Sequence, residues 1–163
     1  MVSTAGARQH TPQGERPGDV VLYDADCGFC RWCIAKVLAW DRRGRLQPRA
    51  IQDPGAGDLL PGMPTAVRLA SWHLATADGR LYSAGAAVAP LLRSLPGGRL
   101  PAALAAAAPR ATERLYRLVA DRRAALGGLV TAAARRRALS RIAARTPAGA
   151  LAPTGTRGAS CAR

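Results

Sequence analysis

The stretch Val20-Val21-Leu22-Tyr23-Asp24-Ala25-Asp26-Cys27-Gly28-Phe29-Cys30-Arg31-Trp32-Cys33 decides how the chain is read. Its first four residues form an apolar run of strand length, and a helical pattern begins near Cys27, so Cys27 and Cys30 fall on a strand-to-helix turn. A C-x-x-C pair alone is common in metal sites. One that opens a helix after a strand has the geometry of a dithiol redox centre. The first sulfur would meet the unpaired N–H groups and the positive end of the helix dipole, which favour thiolate over thiol. Thiolate is the form that attacks disulfides.

Outward from this stretch, Asp19 to Tyr23 reads as a strand buried on both faces. From Cys27 to Trp40 the residues Cys30, Cys33, Ile34, Val37, Leu38 and Trp40 lie largely on one helical stripe. Asp24 or Asp26 is expected to cap its start, and Asp41-Arg42-Arg43-Gly44 to close it with a basic last turn and a glycine. Leu46 to Ile51 reads as a second strand, which Pro48 assigns to an edge or a bulge. Together these make a β-α-β unit.

Residues 53 to 64, rich in Pro and Gly, are expected to form a loop with one helical turn. Ala66 to Thr76 gives a strand signal through Val67, Leu69 and Trp72, and Asp78-Gly79 turns it back into Leu81-Tyr82. Ala84 to Leu95 reads as a short helix stopped by Pro96-Gly97-Gly98. The order is that of a minimal thioredoxin-like arrangement, an α/β fold with a small sheet. After Pro101 the chain turns helical and Ala-rich. Thr112 to Leu126 is an amphipathic helix broken by Gly127-Gly128, and Leu129 to Arg145 forms another. Three divisions follow: a disordered lead-in over 1–18, a thioredoxin-like domain with a docked helix over 19–126, and a basic helix with a disordered tail over 127–163.

The motif Tyr23, Asp24, Ala25, Asp26, Cys27, Gly28, Phe29, Cys30 resembles that of the DCC family of thiol-disulfide oxidoreductases, a thioredoxin-like group carrying Tyr-Asp-Gly-x-Cys-x-x-Cys. The resemblance continues through Gln52, Asp78 to Tyr82, and Tyr116 to Arg123. It departs at Ala25, where the family's glycine would tolerate positive φ. The resemblance implies a protein-disulfide reductase type of activity without a cofactor or metal. In that mechanism Cys27 attacks a substrate disulfide and Cys30 resolves the mixed disulfide, while Asp24 is a candidate proton relay. Phe29, between the thiols, and Pro64, in Met63-Pro64-Thr65, are candidate substrate-binding residues. Thioredoxin-like proteins commonly place a proline, often cis, beside the dithiol, although Pro64 also reads as an ordinary loop proline. The partners expected are a disulfide-containing protein or small thiol as substrate, and another dithiol or glutathione as reductant.

Two other classes stand beside this reading. Cys33 extends the series to C-x-x-C-x-x-C, as an apolar core residue, an alternative resolving thiol or a metal ligand. A Cys-based metal site would need a fourth ligand, and Cys161 lies far along the chain, while His10 and His73 are isolated. The formal charge of +14 suggests a polyanion-binding module. That charge is concentrated, since residues 110–163 hold 12 Arg against Glu113 and Asp121. Weak polyanion contact through Arg135, Arg136 and Arg137 is the form it would take. Yet Lys36 is the sole lysine among 24 basic residues, so Arg abundance reads as compositional bias. The N-terminal stretch has no apolar run of signal-peptide length, and no window reaches the ~20 apolar residues of a membrane span. A cytoplasmic protein is expected, and in that reducing compartment cysteines serve chemistry more often than structural disulfides.

Overall fold

The structure is a computed structural model and describes residues 18–146. The proposed lead-in up to residue 17, the tail after 146 and Cys161 lie outside the described residues. Four strands form one sheet: β1 (Asp19–Tyr23), β2 (Leu46–Ala50), β3 (His73–Ala75) and β4 (Leu81–Ser83), in the spatial order β2-β1-β3-β4. β1 pairs with β2 in parallel, with Val21 opposite Pro48, and antiparallel to β3, with Val21 opposite Leu74. β3 and β4 form an antiparallel hairpin turned by Asp78 and Gly79, where Gly79 takes φ +83°. Pro48 has no N–H to donate, and β2 is the edge strand on which such a residue is tolerated.

The helices are α1 (Gly28–Trp40), α2 (Thr65–Ala70), α3 (Val88–Ser94), α4 (Arg99–Ala107), α5 (Pro109–Asp121), α6 (Arg123–Leu129) and α7 (Ala132–Ala143), with 3-10 turns at Pro54–Leu59 and Ala84–Ala87. Successive side chains of β1 alternate between the sheet faces. Val21 and Tyr23 join Leu74 and the buried sides of α1, α3 and α7, including Ile34, Leu38, Leu91 and Ile142. Val20 and Leu22 point the other way, onto Ile51, Ala56 and Leu60 near the first 3-10 turn. Burial on both faces accounts for the unbroken apolar run. Each fully buried leucine, such as Leu22 or Leu74, stabilises the fold by about 2 kcal/mol. This is the mixed α/β architecture of a small thioredoxin-like fold with added helices.

Three local expectations are corrected. Residues 65–70 are helical, and the strand is confined to His73–Ala75. Pro64 starts α2, its carbonyl accepting the Val67 and Arg68 N–H groups at 3.0 Å each. Val67, read as a strand residue, is exposed. The amphipathic helix breaks at Arg122, and α6 runs on through Gly127 and Gly128. At Gly127 a side chain would touch Phe29 at 3.7–3.8 Å, so this glycine sits at the contact of α6 with the start of α1. Finally, α1 ends at Asp41 with no basic residue in its last turn. Arg42 and Arg43 follow outside the helix, while the Asp41 carboxylate turns the chain into β2 by accepting the Leu46 N–H at 2.9 Å.

The C-terminal helices are built into the molecule. Gly85 passes so close to α5 that a side chain there would lie 2.6 Å from the Glu113 Cα, and its N–H donates to Glu113 Oε2 at 2.9 Å. α7 lies along α1 and buries Ala138 and Ile142. On α7, Arg135 donates to the Gly127 carbonyl at 2.9 Å, whereas Arg136 and Arg137 are exposed. Among the described residues, no helix is long and apolar enough to cross a membrane.

Candidate active site

The turn between β1 and α1 holds the two thiols in unequal positions. Cys27 is itself the N-cap of α1, with φ −82° and ψ 111°, and its Sγ accepts the Cys30 N–H at 3.2 Å. Neither Asp24 nor Asp26 caps the helix, contrary to the expectation. Asp24 Oδ1 instead accepts the Asp26 N–H at 3.0 Å, folding the turn onto itself. Gln52, just past β2, completes the arrangement. Its Oε1 accepts the Ala25 N–H at 3.1 Å, while its Nε2 donates to Asp24 Oδ1 at 2.8 Å and to Asp26 Oδ2 at 3.2 Å. Ala25 needs no left-handed backbone: among the described residues, Ala84 is the one non-glycine with positive φ. Alanine therefore replaces the family's glycine without strain.

Behind the turn lies an apolar cleft of about 230 Å³, to which Cys30 and Cys33 contribute but Cys27 does not. Phe29, Trp72, Val119 and Leu91 supply much of its lining, and Asp24, Tyr116 and Arg123 supply polar groups. Phe29 also stacks on Trp32 at 6.0 Å between ring centroids, and Lys36 Nζ lies 5.4 Å from the Trp32 ring. Cys27, Cys30 and Cys33 are all free thiols, each partly exposed.

The environment separates these sulfurs electrostatically. Burial pushes the Cys30 thiol strongly up, reinforced by its hydrogen bond with Cys27 and by the negative charges of Cys27 and Asp24, with Arg123 acting the other way. The Cys33 thiol is pushed up to about 11 by burial and by charge on Cys27. Tyr116 is raised by burial as well, and it feels Cys30 and Arg123 across the same space. Cys30 and Cys33 are thus held as protonated thiols behind a first sulfur that meets the helix N-terminus. Among the described residues, no three His, Cys, Asp or Glu side chains are grouped to hold a metal ion.

The structure brings Asp24, Cys27, Phe29 and Cys30 together. It does not bring Pro64 to them. Pro64 is exposed at the start of α2, outside the cleft lining, and among the described residues no peptide bond is cis. Ser71 and Trp72, immediately before β3, flank the cleft instead. The sequence placed Trp72 only in a strand and assigned neither residue to the site. Nor did it assign individual residues of the Tyr116 to Arg123 stretch, although Tyr116, Ala120 and Arg123 repeat at i, i+4 and i+7 and all line the cleft. That helical spacing was the available signal.

No curated protein and no solved structure matches the chain. A family model does, that of the DCC1-like thiol-disulfide oxidoreductases, over residues 21–129. The matched span takes in the thiol-bearing turn, Gln52 and the cleft wall from α5 and α6, and it carries a thiol-disulfide redox role and oxidoreductase activity. A cysteine pair at a helix start, backed by an apolar cleft, belongs with that chemistry, and the chain is a member of the DCC1-like thiol-disulfide oxidoreductase family.

Proposed function

We propose that the enzyme is of the protein-disulfide reductase type, exchanging a Cys27–Cys30 dithiol and disulfide with substrate disulfides. The observation that carries this reading is the Cys30 N–H donated to Cys27 Sγ at 3.2 Å, at the start of a 13-residue helix. A negative sulfur at that position gains a hydrogen bond and the positive end of the helix. Cys27 thiolate attacks one sulfur of the substrate disulfide, forming a mixed disulfide and releasing the other sulfur as thiolate. Cys30 loses its proton, attacks Cys27 Sγ and releases the second substrate sulfur. Asp24, on the same cleft as Cys30, is the proton acceptor in this reading. The product is a Cys27–Cys30 disulfide, which a dithiol protein or glutathione reduces in a thiol-rich compartment such as the cytoplasm. Phe29, which lines the cleft beside Cys30, contacts the substrate next to its reacting sulfur in this reading.

The test equilibrates the protein across a glutathione redox series, labels free thiols and counts them by mass spectrometry. A reversible two-electron transition that vanishes in both Cys27→Ser and Cys30→Ser is expected. Its potential decides whether the enzyme works as reductant or oxidant. Absence of any such transition at accessible potentials would sink the reading.

A further inference from the structure

Arg123 opens α6 and shares the cleft with Cys30. Its guanidinium is fixed from behind, Nη1 donating to the Leu69 carbonyl at 3.1 Å on the segment leading to β3. The charged and titratable groups around Cys30 and its cleft are Tyr23 from β1, Cys27 and Asp24 from the turn, Cys33 from α1, Tyr116 from α5 and Arg123 from α6. Among the described residues lining the cleft, Arg123 is the one cation. The others are neutral or negative, and most of the remaining wall is apolar, so the guanidinium is screened less than it would be in open solvent. An arginine also keeps its charge at every pH at which thiols exchange.

Resting on the dithiol reading above, we propose that Arg123 is a positioning residue for the resolving step: its tethered guanidinium stabilises the Cys30 thiolate as that sulfur closes the Cys27–Cys30 disulfide. In that step the Cys30 proton passes to Asp24, the acceptor in the reading above, and the sulfur's electron pair forms the bond to Cys27 Sγ. The bond from Cys27 to the substrate breaks, and its electron pair departs on the substrate sulfur. The dithiol has lost two electrons and the substrate disulfide has gained them. In the mixed disulfide Cys27 Sγ carries no charge, so burial and the charge of Asp24 are what hold Cys30 as a thiol there. Arg123 is the cleft group that opposes them, and so favours the thiolate that resolution needs.

The test follows the full chain in a Cys33→Ala, Cys161→Ser background, reduced and mixed with a chromogenic aryl disulfide. Attack by Cys27 releases one aryl thiolate, and resolution by Cys30 releases a second. In Arg123→Gln the first phase is unchanged. The second slows about tenfold at pH 7 and its pH profile moves up by about one pH unit, as expected for removing one cation from a half-buried thiolate. Arg123→Lys keeps most of the rate. Should Gln disturb the fold by circular dichroism, Arg123→Met suits the apolar lining and carries the same expectation. An arginine that merely tied α6 to Leu69 would leave the profile unmoved, and an unmoved profile in a folded variant overturns the proposal. A parent chain that releases a single aryl thiolate would instead refute the dithiol reading itself, and the role of Arg123 with it.

Discussion

Arg145 donates to Asp41 twice, through Nη1 to Oδ2 at 3.2 Å and through Nη2 to the main-chain carbonyl at 2.7 Å. The contact joins the end of α7 to the end of α1, more than a hundred residues earlier. Asp41 is wholly buried, and among the described residues its Oδ1 has no hydrogen-bond partner. Removing the guanidinium strands a buried carboxylate. Arg145→Ala should therefore cost about 2–3 kcal/mol, at the lower edge for broken buried pairs because the Arg145 side chain is 30% exposed. Truncation after Val130 removes Ile142 and Ala138 from the core as well, and should destabilise further. Urea denaturation of the three proteins checks this; a loss below about 0.5 kcal/mol in Arg145→Ala would show the ion pair to be incidental.

Gln52 holds two carboxylates and a main-chain N–H in the turn before Cys27. Its amide supplies the donors that keep Asp24 and Asp26 close together. Gln52→Ala should lower stability by about 1 kcal/mol, since the bonds are exposed though charge-assisted. Gln52→Glu should do worse, because a carboxylate cannot donate and adds a third negative charge. Alkylation of Cys27 and thermal unfolding measured side by side give the comparison. A Glu variant that matches or exceeds the parent in stability would remove Gln52 from this role.

The strand-turn-helix core was legible because each of its signals is local. The apolar run of β1, the thiols at the helix start, Pro48 on an edge and Asp78-Gly79 at a hairpin each need only their neighbours. Where the reading failed, tertiary packing decided. Val67 and Leu69 alternate with Ala66, Arg68 and Ala70 like a strand, but Pro64 starts a helix there, and Arg68 ties its first turn down by donating to the Met63 and Leu60 carbonyls. Gly127 reads as a helix breaker until Phe29 is seen beside it. The chemistry of the first thiol was visible in the motif. The cleft was not, because Trp72 and Arg123 reach it from segments far along the chain.

His73 gives the fold a pH dependence of determinable sign. It is 1% exposed; its Nδ1 takes the Ser83 hydroxyl at 2.7 Å and its Nε2–H donates to the Arg68 carbonyl at 3.0 Å, the tautomer those partners require. Burial lowers its pKa; the Arg68 carbonyl opposes and the Arg68 charge assists the change. The unfolded chain thus binds the proton more readily. The stabilising contribution is complete above about pH 6.5 and is lost as pH falls from there toward the folded value, at up to about 1.4 kcal/mol per pH unit. Urea midpoints between pH 7.5 and 5 should fall in the parent and flatten in His73→Asn. Equal slopes in the two proteins would place the titration elsewhere.

Cys33 tests how far the sulfurs are functionally separated. It lies one turn beyond Cys30 on the same cleft, close enough for charge on Cys27 to act on it. Its thiol is pushed up to about 11, so at pH 7 only about one molecule in ten thousand carries a thiolate there. Iodoacetamide at neutral pH should label Cys27 and leave Cys33 free, with mass spectrometry of peptides giving the site. Cys33→Ala should keep the two-electron transition, losing about 1 kcal/mol of stability for a small, partly buried side chain. The contrary result is equally sharp. If Cys33 labels as fast as Cys27, or if Cys33→Ala abolishes the disulfide while Cys30→Ser retains it, then Cys33 is the resolving thiol. Cys30 would then be the packed one, and the assignment of roles along α1 would shift by one turn.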